Sequence, residues 1–301
     1  MAREPGAPGC ALDSRRRGEL VLGTASRVRR WLLVEQPGSW GSDALRESRI
    51  PEAVAEGVHR LAARHGARVV LVRRSMAPTT GAHQVFLVRS DRQVSWAERL
   101  RIREPEALLH LPLGALDADA PPGVGERVER LDLVCTNGRH DPCCADFGRP
   151  VVRVLRAAGQ DVWESSHVGG DRFAANVVCL PSGVYFGRVP PERAVAILRD
   201  HADGFLALDH YRGRSCYPPL VQAAEVLARL ELGERRLALL EPRAWTRDGD
   251  QITVELGYGA GALLATVSRH RGAAVALTCS ATASDTPWEY RLERLEVRDP
   301  A

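Results

Sequence analysis

The chain contains no lysine. All 41 basic residues are arginine, set against 38 acids, and the net charge is +3. With abundant Ala, Gly and Val, this reads as a bias toward GC-rich codons, so the arginine content is no sign of a polyanionic partner. Aromatics make up only 5%. Arginine and acid are interspersed and no aromatic-rich basic stripe appears, which argues against a nucleic-acid role. Long apolar runs are missing too: no segment approaches the roughly 20 apolar residues of a membrane span. The opening MAREPGAPGCALDSRRRGEL lacks the apolar core of a signal peptide. Ser14-Arg15-Arg16-Arg17 hints at a twin-arginine signal, but the apolar run after it stops at Arg27. A further absence is CxxC. The seven cysteines have neither dithiol nor zinc-knuckle spacing, nor the density of a secreted scaffold. The expectation is a cytoplasmic protein with reduced thiols, without membrane or nucleic acid among its partners.

What is present suits a globular protein. The chain has 301 residues, 45% of them hydrophobic, enough for two or three modest domains. Residues 1–19, rich in Pro, Gly and Arg, read as a disordered tail. An N-terminal α/β domain is expected over 20–120. Trp31-Leu-Leu-Val-Glu35 opens it as a strand, and Pro37-Gly-Ser-Trp-Gly41 follows as a loop. Pro51 then marks the first turn of a helix and Gly66 its end, with Ile50, Val54, Val58, Leu61 and Ala62 on one face. Val69–Val72, Gln84–Val88 and Gln93–Trp96 read as strands. Leu111 to Gly125 reads as a linker, with Pro121-Pro122-Gly123 inside it.

A second unit over 126–205 repeats the order. Leu131–Val134 is a strand, Val151–Ala158 a helix with Pro150 at its start, and Val162-Trp163 a strand. Ala174–Val178 and Val184–Gly187 form a hairpin, and Pro190 or Pro191 opens another helix. Over 206–301, a helix from Leu220 to Leu232 precedes short strands at Ile252, Leu264, Val275 and Tyr290. The predicted class is α/β: two thioredoxin-like α/β units in tandem, then a helix and a small C-terminal β-rich segment. Gly257-Tyr-Gly-Ala-Gly-Ala262 formally fits a dinucleotide fingerprint, but no helix follows and too little chain remains. A glycine-rich hairpin is the better reading.

The chemistry concentrates in Cys135-Thr-Asn-Gly-Arg-His-Asp-Pro-Cys-Cys144. Asp141-Pro142 reads as an N-cap and first helical residue. That puts Cys143 and Cys144 in a first turn, where free N–H groups and the helix dipole favour thiolate. Pro150 is expected to break this helix. Cys135 ends the preceding strand and faces the same loop. A second polar cluster, Glu164-Ser-Ser-His-Val-Gly-Gly-Asp-Arg-Phe-Ala-Ala-Asn176, follows the next strand. With parallel neighbouring strands, both junctions lie at one sheet edge, where ligands usually bind. The glycine pair would let backbone approach a bound group. Two thiolates and an imidazole suit a mixed-ligand cluster or zinc.

These two stretches, with Gly183-Val-Tyr-Phe-Gly-Arg188, Trp31–Gly41 and Tyr211-Arg-Gly-Arg-Ser215, closely resemble the sucrase/ferredoxin-like family from about Trp31 to about Glu225. The resemblance implies a thioredoxin-like ferredoxin domain. Its better-understood members hold a [2Fe-2S] cluster by two cysteines nine apart and two histidines in HxxxH. The cysteines map onto Cys135 and Cys144 and the first histidine onto His167. The second histidine position is Asp171, a harder donor and an uncommon one for such clusters. Either Asp171 ligates, or Cys143 replaces it, or no cluster is kept. Cys179 and Cys216 are further candidates; His140 has no family-supported role.

Plainer readings stand beside these. Cys135 and Cys144 can be buried structural thiols, His167 a partner of a backbone carbonyl, and Asp171 a partner of Arg172. Cys10 and Cys279 read as incidental, and His59, His65 and His201 as surface residues. Glycoside hydrolysis needs two carboxylates flanking one bond, and nothing makes Glu164 and Asp171 such a pair. The leading expectation is an electron carrier with a [2Fe-2S] cluster, working with redox protein partners, a homodimer being one option. One alternative is a cluster-free thiol–disulfide oxidoreductase, with Cys143 or Cys144 as nucleophile and Cys135 resolving. The other is a structural protein that binds zinc.

Overall fold

The computed structural model describes residues 9–74, 76 and 81–298. The first eight residues of the expected tail lie outside the described residues. Its remainder is ordered: Cys10–Arg16 forms helix α1, with Cys10, Ala11 and Ser14 buried. The Ser14 hydroxyl accepts from Arg188 and donates to Glu19. The arginine-rich composition hid this short buried face.

The first unit follows its sequence signals closely. β1 (Arg30–Glu35) buries Trp31 to Val34 without alternation, as a strand covered on both faces does. α2 (Glu52–Arg64) follows, with Pro51 as N-cap and Gly66 at φ 57° just past its end. β2 (Arg68–Arg73) pairs parallel with β1, β3 (His83–Ser90) antiparallel with β1, and β4 (Ser95–Ile102) antiparallel with β3. The expected linker opens inside the core: Leu111, Leu113 and Leu116 are buried with Val58 and Trp96. The two-residue strand β5 (Glu126–Arg127) then pairs with β4.

The second unit comprises β6 (Leu131–Cys135), α3 (Pro142–Ala157), β7 (Val162–Ser165), β8 (Val177–Leu180), β9 (Val184–Phe186), α4 (Pro191–Ala202) and β10 (Tyr211–Arg214). The pairings of the first unit recur. β6 is parallel to β7 and antiparallel to β8, and β8 is antiparallel to β9. β2 and β7, the corresponding edge strands, pair antiparallel through Val72↔Ser165 and Arg73↔Glu164. One ten-stranded sheet results, in the order β10-β9-β8-β6-β7-β2-β1-β3-β4-β5. Arg73 seals the seam, 3.0 Å from Glu164 and over the Trp40 ring.

α3 does not break at Pro150, contrary to expectation, and runs unbroken to Ala157. Pro150 removes the donor to the Asp146 carbonyl and crowds it, on a turn where Asp146 is exposed to solvent. Two residues earlier, Gly148 lets the helix rest on β6. A Cβ there would run into the Cys135 carbonyl oxygen.

α5 (Pro219–Leu232) ends at Gly233 in the left-handed region and covers a separate four-stranded sheet. The strands are β11 (Glu241–Asp248), β12 (Gln251–Tyr258), β13 (Gly261–Arg271) and β14 (Trp288–Arg298). β11 had no alternating signal because it is an exposed edge strand. Gly257–Ala262 lies at the β12–β13 hairpin, as expected. Val275 makes only an isolated bridge to Asp285 rather than a strand.

His201 is no surface residue. It packs edge-on against Phe186, 6.0 Å between centroids, with Nε2 3.2 Å from Ser182 Oγ. Burial, with Arg130 and Arg214 nearby, lowers its pKa from 6.5 to about 4.

Two predictions follow from this packing. Gly148→Ala should cost about 1–3 kcal/mol in chemical denaturation by wedging α3 away from β6. Because His201 is harder to protonate when folded, its contribution is complete above about pH 6.5 and declines as pH falls toward about 4. His201→Leu should therefore flatten the stability profile between those values, by up to about 3 kcal/mol in urea titrations.

Candidate metal and redox centre

Parallel pairing of β6 with β7 brings the ends of both strands to one edge of the sheet, as the sequence implied. Cys135 ends β6. After a tight six-residue loop, α3 starts at the expected cap, the Asp141 side chain accepting from Cys143 N at 2.9 Å. Cys144, one residue further, points back at Cys135. His167 follows β7, and Asp171 opens a short 3-10 turn, Asp171–Phe173. Potential ligand atoms of Cys135, Cys144 and His167 all lie within 4.8 Å of one another. Both cysteines and Asp171 are buried, and His167 is partly open.

Asp171 sits at the centre of the polar half. Its Oδ1 accepts from Cys144 Sγ at 3.2 Å and lies 2.9 Å from His167 Nδ1. That imidazole nitrogen is buried and makes no well-formed hydrogen bond. Oδ2 lies 3.7 Å from His140 Nε2, and the His140 and His167 rings stack 3.8 Å apart. His140, His167 and Asp171 form a second close group. The Thr136–Asp141 loop folds His140 over the sheet edge, where its Nδ1 is 3.3 Å from the Ser42 carbonyl.

Cys135 is drawn well below the usual thiol range, first by the adjacent Cys144 thiol and then by His167, against the effect of burial. Cys144 is raised by Cys135, burial and Asp171. The lowering expected at the helix start is therefore found on Cys135, while Cys135, burial and Asp171 act against ionisation of Cys144. Burial opposes charge on His167, but Asp171 and Cys135 prevail and raise it to about 9. Asp171 is lowered: burial acts upward, and His167 outweighs it.

The loop is held from behind. Gly169 and Gly170 have φ of 101° and 85°. Side chains there would collide with Ser26 and Arg212, so the pair serves protein packing rather than a bound group. Fully buried Arg212 donates to the Gly169 carbonyl at 3.0 Å and Asn176 Oδ1 at 2.7 Å, and to Thr24. Asn176 in turn donates to the Gly170 carbonyl. From β2, Arg68 donates to the carbonyls of His167 and Val168. Beside the histidines a cleft of about 400 Å³, lined by Ser42, Arg46, His59, Arg68, His140 and His167, reaches the surface.

The remaining candidates lie elsewhere. Cys143 faces away from Cys135 and Cys144, toward Cys10 and Cys279. Cys179 groups with Asp132 and His201, and Cys216 packs in the core under the terminal sheet. Sequence reasoning gave His140 no family-supported role, and the structure stacks it on His167. Cys10 and Cys279 carry no local signal for their convergence on Cys143.

Among the described residues, no helix is long and apolar enough to cross a membrane. No curated protein matches the chain. Among solved structures, two cysteine-to-serine variants of the thioredoxin-like [2Fe-2S] ferredoxin from Aquifex aeolicus are similar at 18% identity. Each match covers 27% of this chain and 96% of that one at a TM-score of 0.24, too slight a likeness to place residues by. The family described as Sucrase/ferredoxin-like matches residues 21–213, more than half of the chain, including every element that forms the site. The chain belongs to the sucrase/ferredoxin-like family.

Proposed function

We propose that this protein is an electron carrier that holds a [2Fe-2S] cluster between Cys135 and Cys144 on one side and histidine nitrogen on the other. The reading rests on one observation: two buried thiols and an imidazole converge at the sheet edge within ligand reach. The donor set fits the group. One cysteine is already biased to thiolate, and the His167 imidazole lies within ligand reach of both thiols. His140, rather than Asp171, is the proposed second nitrogen donor, because imidazole is the softer ligand. Asp171, facing one nitrogen of each ring, then orients them as an outer carboxylate. Cys143 is left out of the proposed set because its thiol faces Cys10 and Cys279. Bound there, the cluster would supply one-electron transfer at a potential above that of an all-thiolate site. The cleft beside the histidines is the proposed face for a redox protein partner, and the cytoplasm the proposed compartment.

Anaerobically purified protein should contain iron and sulfide with absorption bands in the roughly 400–500 nm region. Cys135→Ser and His167→Ala should lose them. His140→Ala should lose them as well, whereas Asp171→Asn should keep the iron and shift the potential. Retention in His140→Ala with loss in Asp171→Ala would make the carboxylate the ligand. Wild-type protein without iron and sulfide would overturn the reading: zinc instead would point to a structural site, and a reversible disulfide at Cys135 to thiol chemistry.

The histidine ligands also predict a pH-dependent midpoint potential, falling by up to about 59 mV per unit where an imidazole loses its proton. Protein-film voltammetry should show this slope flattened in His167→Cys.

A further inference from the structure

Behind the candidate cluster site, on the opposite side of the α3 N-terminus, lies a second group of soft ligands. Cys10 Sγ is 3.8 Å from Cys143 Sγ and 3.6 Å from Cys279 Sγ, and Cys143 Sγ is 3.4 Å from Cys279 Sγ. All three are free thiols. The Asp141 carboxylate completes the group, its oxygens 3.7 and 3.6 Å from Cys10 Sγ.

We infer that Cys10, Cys143, Cys279 and Asp141 form a structural zinc site. The dimensions match. Tetrahedral zinc with Zn–S of about 2.3 Å and Zn–O of about 2.1 Å sets S–S edges near 3.8 Å and S–O edges near 3.6 Å. Three thiolates and a carboxylate are ligands that borderline-soft zinc accepts. The carboxylate is already fixed from outside: Oδ1 accepts from Cys143 N at 2.9 Å and Oδ2 from Cys279 N at 2.7 Å. Cys10, Cys143 and Asp141 are buried and Cys279 is half-buried, leaving no open position for substrate. Arg15, over the Phe147 ring and bonded to the Ala174 carbonyl, contributes positive charge to the same pocket.

The location explains why a metal would matter. The packing around the thiols is small, consisting of Ala11 and Ala174 with Phe147 at its margin. α1 has only seven residues, too few to persist alone. Cys279 lies in the long connection between β13 and β14, where the structure shows one isolated bridge, Val275↔Asp285. Zinc would tie both segments to the cap of α3 and release the thiol protons as it binds. The site is separate from the cluster reading. Cys10 and Cys279 fall outside the family match over 21–213, and adjacent Cys143 and Cys144 project to different sides of α3.

The full-length Cys135→Ser/Cys144→Ser variant isolates the site, since it removes the proposed cluster thiolates. Titrated with zinc after reduction, it should take up one ion per chain, and cobalt should give thiolate-to-metal absorption. Adding Cys10→Ser or Cys279→Ser should weaken zinc binding at least tenfold, with far-UV circular dichroism reporting retention of the fold. A readout without variants uses reduced wild-type protein. Zinc should protect Cys279 from alkylation, and a chelator should restore its reactivity, as followed by mass spectrometry. Undiminished zinc binding in the Cys10 and Cys279 variants would overturn the inference. So would failure of the reduced double variant to bind zinc, including a case in which the native protein carries a Cys143–Cys279 disulfide. Iron and sulfide in wild-type protein report on the other site, so the two readings fail independently.

Discussion

Arg212 is a guanidinium with almost no access to water, and the geometry of the candidate centre depends on it. An unpaired charge there would be prohibitive, so every donor must find an acceptor. It finds them in Thr24, the Gly169 carbonyl and Asn176. Those partners belong to the segment before β1, the loop after β7 and the entry to β8. One side chain from β10 thereby fixes the loop that carries His167 and Asp171. Gly170 follows from it, because a Cβ there would occupy the space of the guanidinium, while a Cβ at Gly169 would meet Ser26. The conspicuous Gly169-Gly170 pair thus belongs to the support of the site, one layer behind the ligands.

The two sides of the α3 N-terminus divide the cysteines between them. Cys144 turns toward Cys135 and Asp171, and Cys143 toward Cys10 and Cys279. Asp141 caps the helix and also reaches the outer group. The Cys-Cys pair therefore serves two environments rather than offering two choices for one.

Much of this was legible in the sequence because the signals were local. Uniform apolar runs gave β1, β2 and β6, Asp141-Pro142 gave the start of α3, and the glycine-rich turn gave the β12–β13 hairpin. The joint placement of Cys135, Cys144 and His167 followed from the parallel β-α-β rule. What stayed hidden was long-range. β11 lacks alternation because it lies at an exposed edge, and α1 is ordered only by what it docks against. Pro150 reads as a helix breaker until the exposure of Asp146 on the turn before it is known. His140 was legible as a residue and not as a neighbour: its stacking on His167 depends on how the loop folds back over the sheet. The meeting of Cys10 with Cys279 joins positions 269 apart, which no pattern of spacing reveals.

The seam between β2 and β7 has a consequence for the whole molecule. The two halves share one strand order and meet through equivalent edges running antiparallel, the relation of subunits across a twofold axis. The chain is, in effect, its own symmetric pair, fused end to end. The halves differ in content: the position matching Cys135 at the end of β1 is Glu35, which accepts a backbone hydrogen bond from Gln84, and no cysteine occurs between Cys10 and Cys135. The second half carries the candidate site, and the first supplies the wall, Arg68 and the Ser42 carbonyl beside it. A second copy of the chain cannot add at that seam, because the docking edge of each half is already taken by its twin.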